Sequence, residues 1–416
     1  MSASKFSIFI PHASDFLTNH RSHGDGLTAF GFINRLAERG HTLHVAAPEM
    51  DIQGALPANI KLYPIRTLTK SLILHRLEYM FKSRRLLNRL RREVEIDVIH
   101  QLNPVNKGLS LAMLGSGLPV VLGVIVPSWP ADAEEGAPKM SWSKRLLEGL
   151  KMWGKRRLLT LQQWQASALL VATPAARGNL HRAERVEHKI VHLPLGVDTG
   201  RFHPVREQDS TGKEAEACPT RAEAPNILFL ANLWRRKGIF TLLEAFDRVA
   251  REVPNCRLTI AGSGGEQAEV ERRVAASHFR DRIELLGAVS RERTPELLRN
   301  CTLYCLPAYG EPFANSVLEA LASGKPVVAT AAGGIQEMIP DGGGRKVPPR
   351  DAGALADALI EVLRSPELQA EMGRCNRQKA EQFFAWERVI DRLEGVYEQL
   401  IAAEPQPQQT HSPQLY

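Results

Sequence analysis

Short apolar runs alternate with helical stretches along most of this chain, and one polar segment interrupts the alternation. Strands that are separated by helices form parallel sheets covered on both faces. Between the two series of runs, residues 206–225 are polar and show no apolar period. The pattern therefore predicts two doubly wound α/β domains. The strand-like runs lie at residues 6–10, 42–47, 98–101, 119–126, 169–172, 190–193, 227–230, 257–261, 283–286, 302–306 and 327–330.

The polar segment divides the chain into parts that we expect to fold separately. We predict a Rossmann-like domain at residues 1–205, a polar linker or insertion at 206–225, and a second Rossmann-like domain at 226–385. A helix follows at 386–403, and residues 404–416, rich in Pro and Gln, form a disordered tail. Ligands of doubly wound sheets bind beyond the carboxyl ends of the strands. Two facing domains therefore predict a central cleft.

The charge of the chain is unevenly distributed. The formal net charge is +7. Lys and Arg outnumber Asp and Glu in residues 1–205, whereas the acids outnumber the bases in residues 206–416. This asymmetry predicts an anionic partner for the first half: nucleic acid, an acidic glycan or an anionic membrane surface. Nucleic acid is disfavoured because no recognised binding module accompanies the charge.

Cysteine usage and hydropathy predict a cytoplasmic protein. The five cysteines are scattered and odd in number, which argues against a disulfide framework. No uninterrupted apolar run approaches the length of a membrane span. The N-terminus leads into a strand-like run and lacks the pattern of a signal peptide.

The sequence gives little evidence for a metal site or for a nicotinamide-binding site. A glycine loop at residues 262–265 follows a strand-like run, but Gln267 stands at the third glycine of a dinucleotide motif. Cys301 and Cys305 lie on an apolar run, which favours core packing over metal ligation. No Asp-x-Asp occurs in the chain. We therefore predict no cofactor and no required metal.

Two glutamates bracket the segment that is hardest to explain as structure alone. Glu311 lies in a predicted loop, and Glu319 lies inside a short helix with Asn315 or Ser316 as its N-cap and Gly324 after its end. A helix N-terminus attracts phosphate, and carboxylates accept hydrogen bonds from vicinal hydroxyls. A nucleotide sugar has both groups. The alternative is that both acids are solvated surface residues.

The spacing Glu311-x7-Glu319 resembles the signature of the retaining glycosyltransferases of family 4, which have the GT-B fold. Further matches are Gly-Gly at residues 333–334, Gly-Val-Asp at 196–198 and Trp-Glu-Arg at 386–388. The resemblance covers nearly the whole chain and is strongest from about residue 190 to residue 400. It implies that the first domain binds the acceptor, that the second binds a nucleotide sugar, and that the last helix crosses back to the first domain.

The resemblance also implies the roles of individual residues. Glu311 contacts hydroxyls of the donor sugar and forms the catalytic set with Lys237 and Arg236, while Glu319 binds the ribose. The leaving phosphate takes the acceptor proton, so no dedicated base is needed. The full set of donor-binding residues implied by the resemblance is Gly24, Gly26, Arg235, Val289, Phe313, Ala314, Asn315, Ser316 and Glu319.

Two positions depart from the family pattern. Asn232 stands where the family has Arg, so we expect Arg235 or Arg236 to replace the missing guanidinium. Ala314 stands where the family has Gly, and its methyl group predicts an altered choice of donor. These departures keep open a catalytically silent nucleotide-sugar-binding homologue. A GT-B nucleotide-sugar epimerase is the alternative within enzymes.

The resemblance predicts a hexosyltransferase-type glycosyltransferase that moves a sugar from a nucleotide sugar to a glycan or lipid-linked acceptor, in envelope or exopolysaccharide biosynthesis. Two basic stretches, residues 70–92 and 139–157, with Trp142, Trp153 and Trp164, predict peripheral contact with an anionic membrane at its inner face. The alternative is that the tryptophans lie in the core and the cations are solvated.

Overall fold

Two parallel sheets, each with helices on both faces, form the protein. This computed structural model describes residues 5–21, 24–69, 72–102, 108–127, 154, 156–205 and 224–403. The sheets fall on either side of residues 206–223, which lie outside the described residues, as does the predicted tail. The predicted architecture of two doubly wound units is confirmed.

Seven strands form the first sheet, in the order β5-β3-β1-β6-β7-β8-β9, and a separate parallel pair joins β2 to β4. The strands at the centre of the sheet are buried on both faces, as expected for parallel strands covered by helices. The strands are β1 Ser7–Ile10, β2 Phe16–Thr18, β3 Thr42–Ala47, β4 Glu49–Asp51, β5 Ile60–Pro64, β6 Val98–Gln101, β7 Val120–Ile125, β8 Ala168–Val171 and β9 Ile190–His192. Long helices of this half are Gly24–Glu38 and Leu72–Leu90.

Six strands form the second sheet, in the order β12-β11-β10-β13-β14-β15. They are β10 Asn226–Leu230, β11 Arg257–Ala261, β12 Ile283–Gly287, β13 Leu303–Leu306, β14 Val327–Thr330 and β15 Gly344–Val347. The α-helices of this half are Ile239–Glu252, Gln267–Ala276, Thr294–Asn300, Asn315–Ala322, Ile335–Met338, Ala352–Arg364 and Pro366–Lys379. A π-helical turn at Ala380–Phe384 leads into the closing helix, Trp386–Ala403.

Each predicted strand is present with its ends within one residue of the expected position, and the sequence pattern missed four others. The missed strands β2 and β4 have three residues each, and β5 and β15 lie at the edges of their sheets. Edge strands are partly exposed, so their sequences carry Lys and Arg between apolar residues. A search for apolar runs does not detect such strands.

The closing helix packs against the first half of the chain, which confirms the predicted crossing. The ring of Trp386 meets that of Phe32 edge-on, with centroids 5.0 Å apart. A Cβ atom on Gly196 would lie 2.3 Å from the same indole, so a side chain there would displace it. The backbone of Val197 bonds on one side to the Phe384 carbonyl, at 2.7 Å, and on the other to the Trp386 N–H, at 3.2 Å.

Buried polar contacts also hold this helix. The hydroxyl of Tyr397 lies 2.6 Å from Nδ1 of His100, and Nε2 of His100 lies 3.0 Å from the Gly123 carbonyl. Burial lowers the pKa of His100 to about 4, so its imidazole is neutral at physiological pH. Nε2 therefore donates to the carbonyl, and Nδ1 accepts from the tyrosine. Glu394 of the same helix contacts another histidine: its carboxylate accepts a hydrogen bond from Nε2 of His41 at 2.8 Å.

The substitution Tyr397→Phe should lower the thermal unfolding midpoint by about 2–5 °C, because it leaves Nδ1 of His100 buried without a donor. Differential scanning fluorimetry at pH 7.5 measures the shift. Arg388→Ala, on the exposed face of the same helix, is the control and should change the midpoint by less than about 1 °C. Equal midpoints for Tyr397→Phe and the wild type would contradict this account of the helix.

Candidate active site

The predicted catalytic residues follow the two central strands of the second sheet. The strand order reverses between β10 and β13, because the chain winds outward from β10 on one side and from β13 on the other. Such a switch point opens a crevice at the carboxyl ends of the strands, where doubly wound sheets bind ligands. Lys237 follows β10 and Glu311 follows β13. The topology therefore places both residues at the expected crevice.

Lys237 and Glu311 form an ion pair in which the glutamate is buried and the lysine is half-buried. The ammonium of Lys237 is in direct contact with a carboxylate oxygen of Glu311, which is 5% exposed. Burial raises the pKa of Glu311 above its usual range, while the charges of Lys237 and Arg236 act against that rise. The N–H of Tyr309 donates to the Arg236 carbonyl at 2.9 Å and ties the two loops together. The structure thus brings together Arg236, Lys237 and Glu311.

The turn that carries the cations depends on a glycine. Residues Arg235–Lys237 form a single 3₁₀ turn, and Gly238 ends it with a φ of 77°. A Cβ atom on Gly238 would lie 1.9 Å from the Pro307 carbonyl oxygen, so no larger residue fits. Arg235 is placed differently from its neighbours: its guanidinium lies over the Phe240 ring, 5.2 Å from the centroid, and its Nε is 3.8 Å from a Glu266 oxygen.

A helix N-terminus lies beside Glu311, but its N-cap differs from the prediction. The helix spans Asn315–Ala322 and its N-cap is Ala314, so the expectation of Asn315 or Ser316 as the cap was wrong by one or two residues. The alanine methyl cannot accept a hydrogen bond, and no side chain caps this terminus. Asn315 is exposed, whereas the Ser316 hydroxyl lies 2.7 Å from that of Tyr304. The first turn therefore presents backbone N–H groups without a side-chain cap.

Two glycines support the loop that carries Glu311. Gly334 donates its N–H to the Glu311 carbonyl at 3.0 Å. A Cβ atom on Gly333 would lie 2.3 Å from that carbonyl oxygen, and one on Gly334 would lie 2.1 Å from the Pro312 carbonyl oxygen. This Gly-Gly pair, which matches the family pattern in the sequence, thus packs backbone against backbone and positions Glu311.

Glu319 is half-buried, and its surroundings disfavour the ionised form of its side chain. Burial raises the pKa of Glu319 to about 7, although Arg291 and Arg201 act to lower it. The two arginines are linked, because the Arg201 guanidinium donates to the Arg291 carbonyl at 2.5 Å. Neither arginine was predicted from the sequence, because one follows the Gly-Val-Asp motif and the other lies in a loop without any motif of its own.

The remaining predicted donor-binding residues are distributed over both halves. Phe313 and Val289 are partly buried and pack against the hydrophobic core. Gly24 and Gly26 lie in the first turn of the helix Gly24–Glu38. Open space surrounds the position that a Cβ atom on Gly24 would occupy, whereas Gly26 is buried.

Comparisons with known proteins agree with this geometry. The family model described as Glycosyltransferase Family 4 matches residues 26–201, and that described as Glycosyl transferases group 1 matches residues 213–379. The chain belongs to glycosyltransferase family 4. Together the two matches extend over most of the chain. The predicted enzyme class, a hexosyltransferase-type glycosyltransferase, is confirmed at the level of the family.

Relatives and solved structures show how far the similarity extends. Alpha-D-kanosaminyltransferase of Streptomyces kanamyceticus is 25% identical over 62% of this chain and 66% of its own length. MMP alpha-(1->4)-mannosyltransferase of Mycolicibacterium hassiacum is 28% identical over 75% of this chain and 72% of its own. HepE of Anabaena in complex with UDP is 18% identical, with a TM-score of 0.70 over 95% of this chain and all of that one. The structural match confirms the GT-B fold.

The raised pKa of Glu319 predicts a pH-dependent effect of the substitution Glu319→Gln. As the pH rises from 4.5 to 7, the folded protein binds more protons at this group than the unfolded chain does, so its contribution to stability falls. We expect Glu319→Gln to be more stable than the wild type at pH 8, by about 1–3 kcal/mol, and to differ little at pH 5.

Thermal unfolding of wild type and variant at both pH values measures this difference. Glu244→Gln, at an exposed position of the helix Ile239–Glu252, is the control and should show no pH-dependent difference. A difference of the same size at pH 5 and pH 8 would contradict the assignment to ionisation of Glu319.

Proposed function

We propose that the protein transfers a sugar from a nucleotide sugar to a glycan or lipid-linked acceptor, with retention of configuration, in envelope or exopolysaccharide biosynthesis. The observation that carries the proposal is the ion pair between Lys237 and the buried Glu311 at the strand-order switch point. It places a cation and a hydroxyl-binding carboxylate side by side at the position where doubly wound sheets bind nucleotides. A donor needs both, for its diphosphate and for its sugar.

In this reaction the bond between the anomeric carbon and the phosphate oxygen breaks, and negative charge develops on the departing diphosphate. Lys237 and Arg236 lie where they can stabilise that charge, together with the uncapped N–H groups of the helix Asn315–Ala322. The acceptor oxygen bonds to the anomeric carbon on the same face. Its proton passes to the departing phosphate oxygen, so the step requires no protein base. His100 is buried between Tyr397 and Gly123 and takes no part.

The two acids act as ligands in this proposal. Glu311 accepts hydrogen bonds from the donor sugar, and its contact with Lys237 keeps sugar and phosphate sites at a constant separation. Glu319 accepts hydrogen bonds from the ribose, with Arg201 and Arg291 nearby. Ala314, buried at the helix N-terminus between the two acids, restricts the space beside the sugar and thereby influences the choice of donor.

Screening donors distinguishes this function from its alternatives. The structures of HepE contain UDP or UDP-glucose, and a relative from Corynebacterium glutamicum is named as GDP-mannose-dependent, so UDP-, GDP- and ADP-sugars form the first panel. Nucleotide release together with a glycosylated acceptor supports a transferase. Conversion of the donor to an isomer without an acceptor indicates an epimerase. A nucleotide-sugar-induced rise in melting temperature without turnover indicates a silent homologue.

The substitution Lys237→Ala should lower turnover by roughly 10²–10³-fold, because a positioned cation at developing charge is lost. It also leaves the Glu311 carboxylate buried without its partner and should lower the melting temperature. The double variant Lys237→Met/Glu311→Gln carries no buried charge at this pair. It should recover the melting temperature while remaining inactive, which separates the catalytic loss from a folding defect. Turnover of either variant at the wild-type level would show that the site is misplaced.

We also propose that no divalent cation is required, since Arg236 and Lys237 already provide positive charge for the diphosphate. Excess EDTA should then leave the rate of sugar transfer unchanged, measured with the donor found in the screen. Arg201 and Arg291 add further positive charge near Glu319. A loss of activity that Mg²⁺ or Mn²⁺ restores would contradict metal independence.

We place the reaction in the cytoplasm, at the inner face of the membrane. Cys256, Cys301 and Cys305 are buried free thiols, as expected for a protein in a reducing compartment. Trp164 is exposed at the end of a helical segment, residues 156–165, while Trp142 and Trp153 lie outside the described residues. Among the described helices, none is both long and apolar enough to cross a bilayer.

A further inference from the structure

A basic groove lies between the edge strand β5 and the C-terminal half of the helix Leu72–Leu90, and its lining includes none of the predicted donor-site residues. Its volume is about 1050 Å³. One wall is formed by the end of β5 and the residues that follow it, and the other by the helix and the turn after it. The cationic residues that line it are Arg66, Lys82, Arg85, Arg89 and Arg92.

Four of the five cations present an uncompensated charge. Lys82 is paired with Glu78, at 2.7 Å, and donates to the Arg66 carbonyl at 2.8 Å. Within the part of the chain that the structure describes, Arg66, Arg85, Arg89 and Arg92 form no ion pair, and all four side chains are exposed. Like charges at this density repel one another in the free protein. A cluster of this kind is stabilised when an anionic ligand lies against it.

An apolar ridge continues the groove along the same helix. Leu74, Leu77 and Phe81 are 54%, 55% and 69% exposed. Their spacing of three and four residues places them on one helical face, and Arg85 and Arg89 continue that face at further intervals of four. The helix therefore exposes an apolar first half and a basic second half on one side. Exposed large apolar side chains in a row indicate a contact surface.

We propose that the basic groove and the apolar ridge form a docking site for an anionic lipid bilayer. Headgroup phosphates bind the arginines of the groove, and Leu74, Leu77 and Phe81 enter the boundary between headgroups and acyl chains. The ordered sequence of apolar and then basic residues along one face matches the two layers of a bilayer surface. A small soluble anion would use the groove but leave the ridge exposed.

The biological role of this docking site, which is to bring the cleft to a lipid-linked acceptor, rests on the proposed function. Its binding chemistry is independent of that function. Each Lys or Arg near an anionic membrane surface changes the partition coefficient by about fivefold. Reversal of two arginines should therefore weaken vesicle binding at least about 25-fold.

Vesicle co-sedimentation with the full-length protein tests the proposal. The wild type should bind vesicles of phosphatidylcholine with phosphatidylglycerol and not bind vesicles of phosphatidylcholine alone. Arg85→Glu/Arg89→Glu should abolish binding to the anionic vesicles, and Phe81→Ser should weaken it several-fold. Equal binding of the wild type to both vesicle types, or unchanged binding of the double variant, would overturn the proposal.

Matched variants in the second half of the chain serve as controls. Arg257→Glu/Arg280→Glu lowers the net charge by the same amount, and Leu285→Ser removes an exposed leucine from the edge strand β12; both should bind anionic vesicles like the wild type. Soluble glycerol 3-phosphate at matched ionic strength should not release the protein from vesicles. Its release by this compound would contradict bilayer docking and assign the groove to free phosphates.

A second measurement separates this proposal from the proposed function. Arg85→Glu/Arg89→Glu should retain nucleotide release with a water-soluble acceptor, because neither arginine belongs to the donor site. If the wild type binds anionic vesicles but turns over no donor, the docking site stands and the transferase function fails. If turnover is found while vesicle binding is absent, the transferase function stands and the docking site fails.

Discussion

The ion pair between Lys237 and Glu311 is the interaction on which the second half of the cleft depends. The Glu311 carboxylate is buried, and without the half-buried ammonium of Lys237 its charge would lie in the interior without a partner. The pair joins the loop after β10 to the loop after β13 across the point where the strand order reverses. The same contact that holds the fold at this point also sets the separation of the sites that we assign to phosphate and sugar.

The closing helix and a few polar contacts elsewhere hold the two halves of the chain in their relative position. Tyr397 reaches a neutral, buried His100 in the first sheet, and Trp386 packs against Phe32. On the other side, the N–H of Ala175 donates to the carboxylate of Glu337 at 3.0 Å. Glu337 lies three residues after Gly334, the second glycine of the pair that supports Glu311. A movement of one half relative to the other would therefore displace the loop that carries Glu311, a proposed catalytic residue.

Stability and ligand binding are opposed at Glu319. Burial raises its pKa to about 7, so ionising this acid lowers the stability of the folded protein, whereas the ionised carboxylate is the form that we propose to accept hydrogen bonds from the ribose. Arg201 and Arg291 reduce that cost without removing it. The basic groove is similar in kind, since the repulsion among its arginines is relieved only by a partner. Both places lower the stability of the free protein, and we propose that each is stabilised by its ligand.

The sequence by itself determined the two parallel sheets and their central strands, and it predicted Lys237 and Glu311 as site residues, because strand alternation and motif spacing are local properties of the chain. Only the tertiary structure decided that these two residues touch, that Ala314 caps the helix, and that Arg201 and Arg291 lie near Glu319. Edge strands such as β5 were not predicted from the sequence pattern, and the groove beside β5 was therefore not predicted either. Contacts between loops that are far apart in the chain depend on how strands are ordered in the sheet, and no local pattern encodes that order.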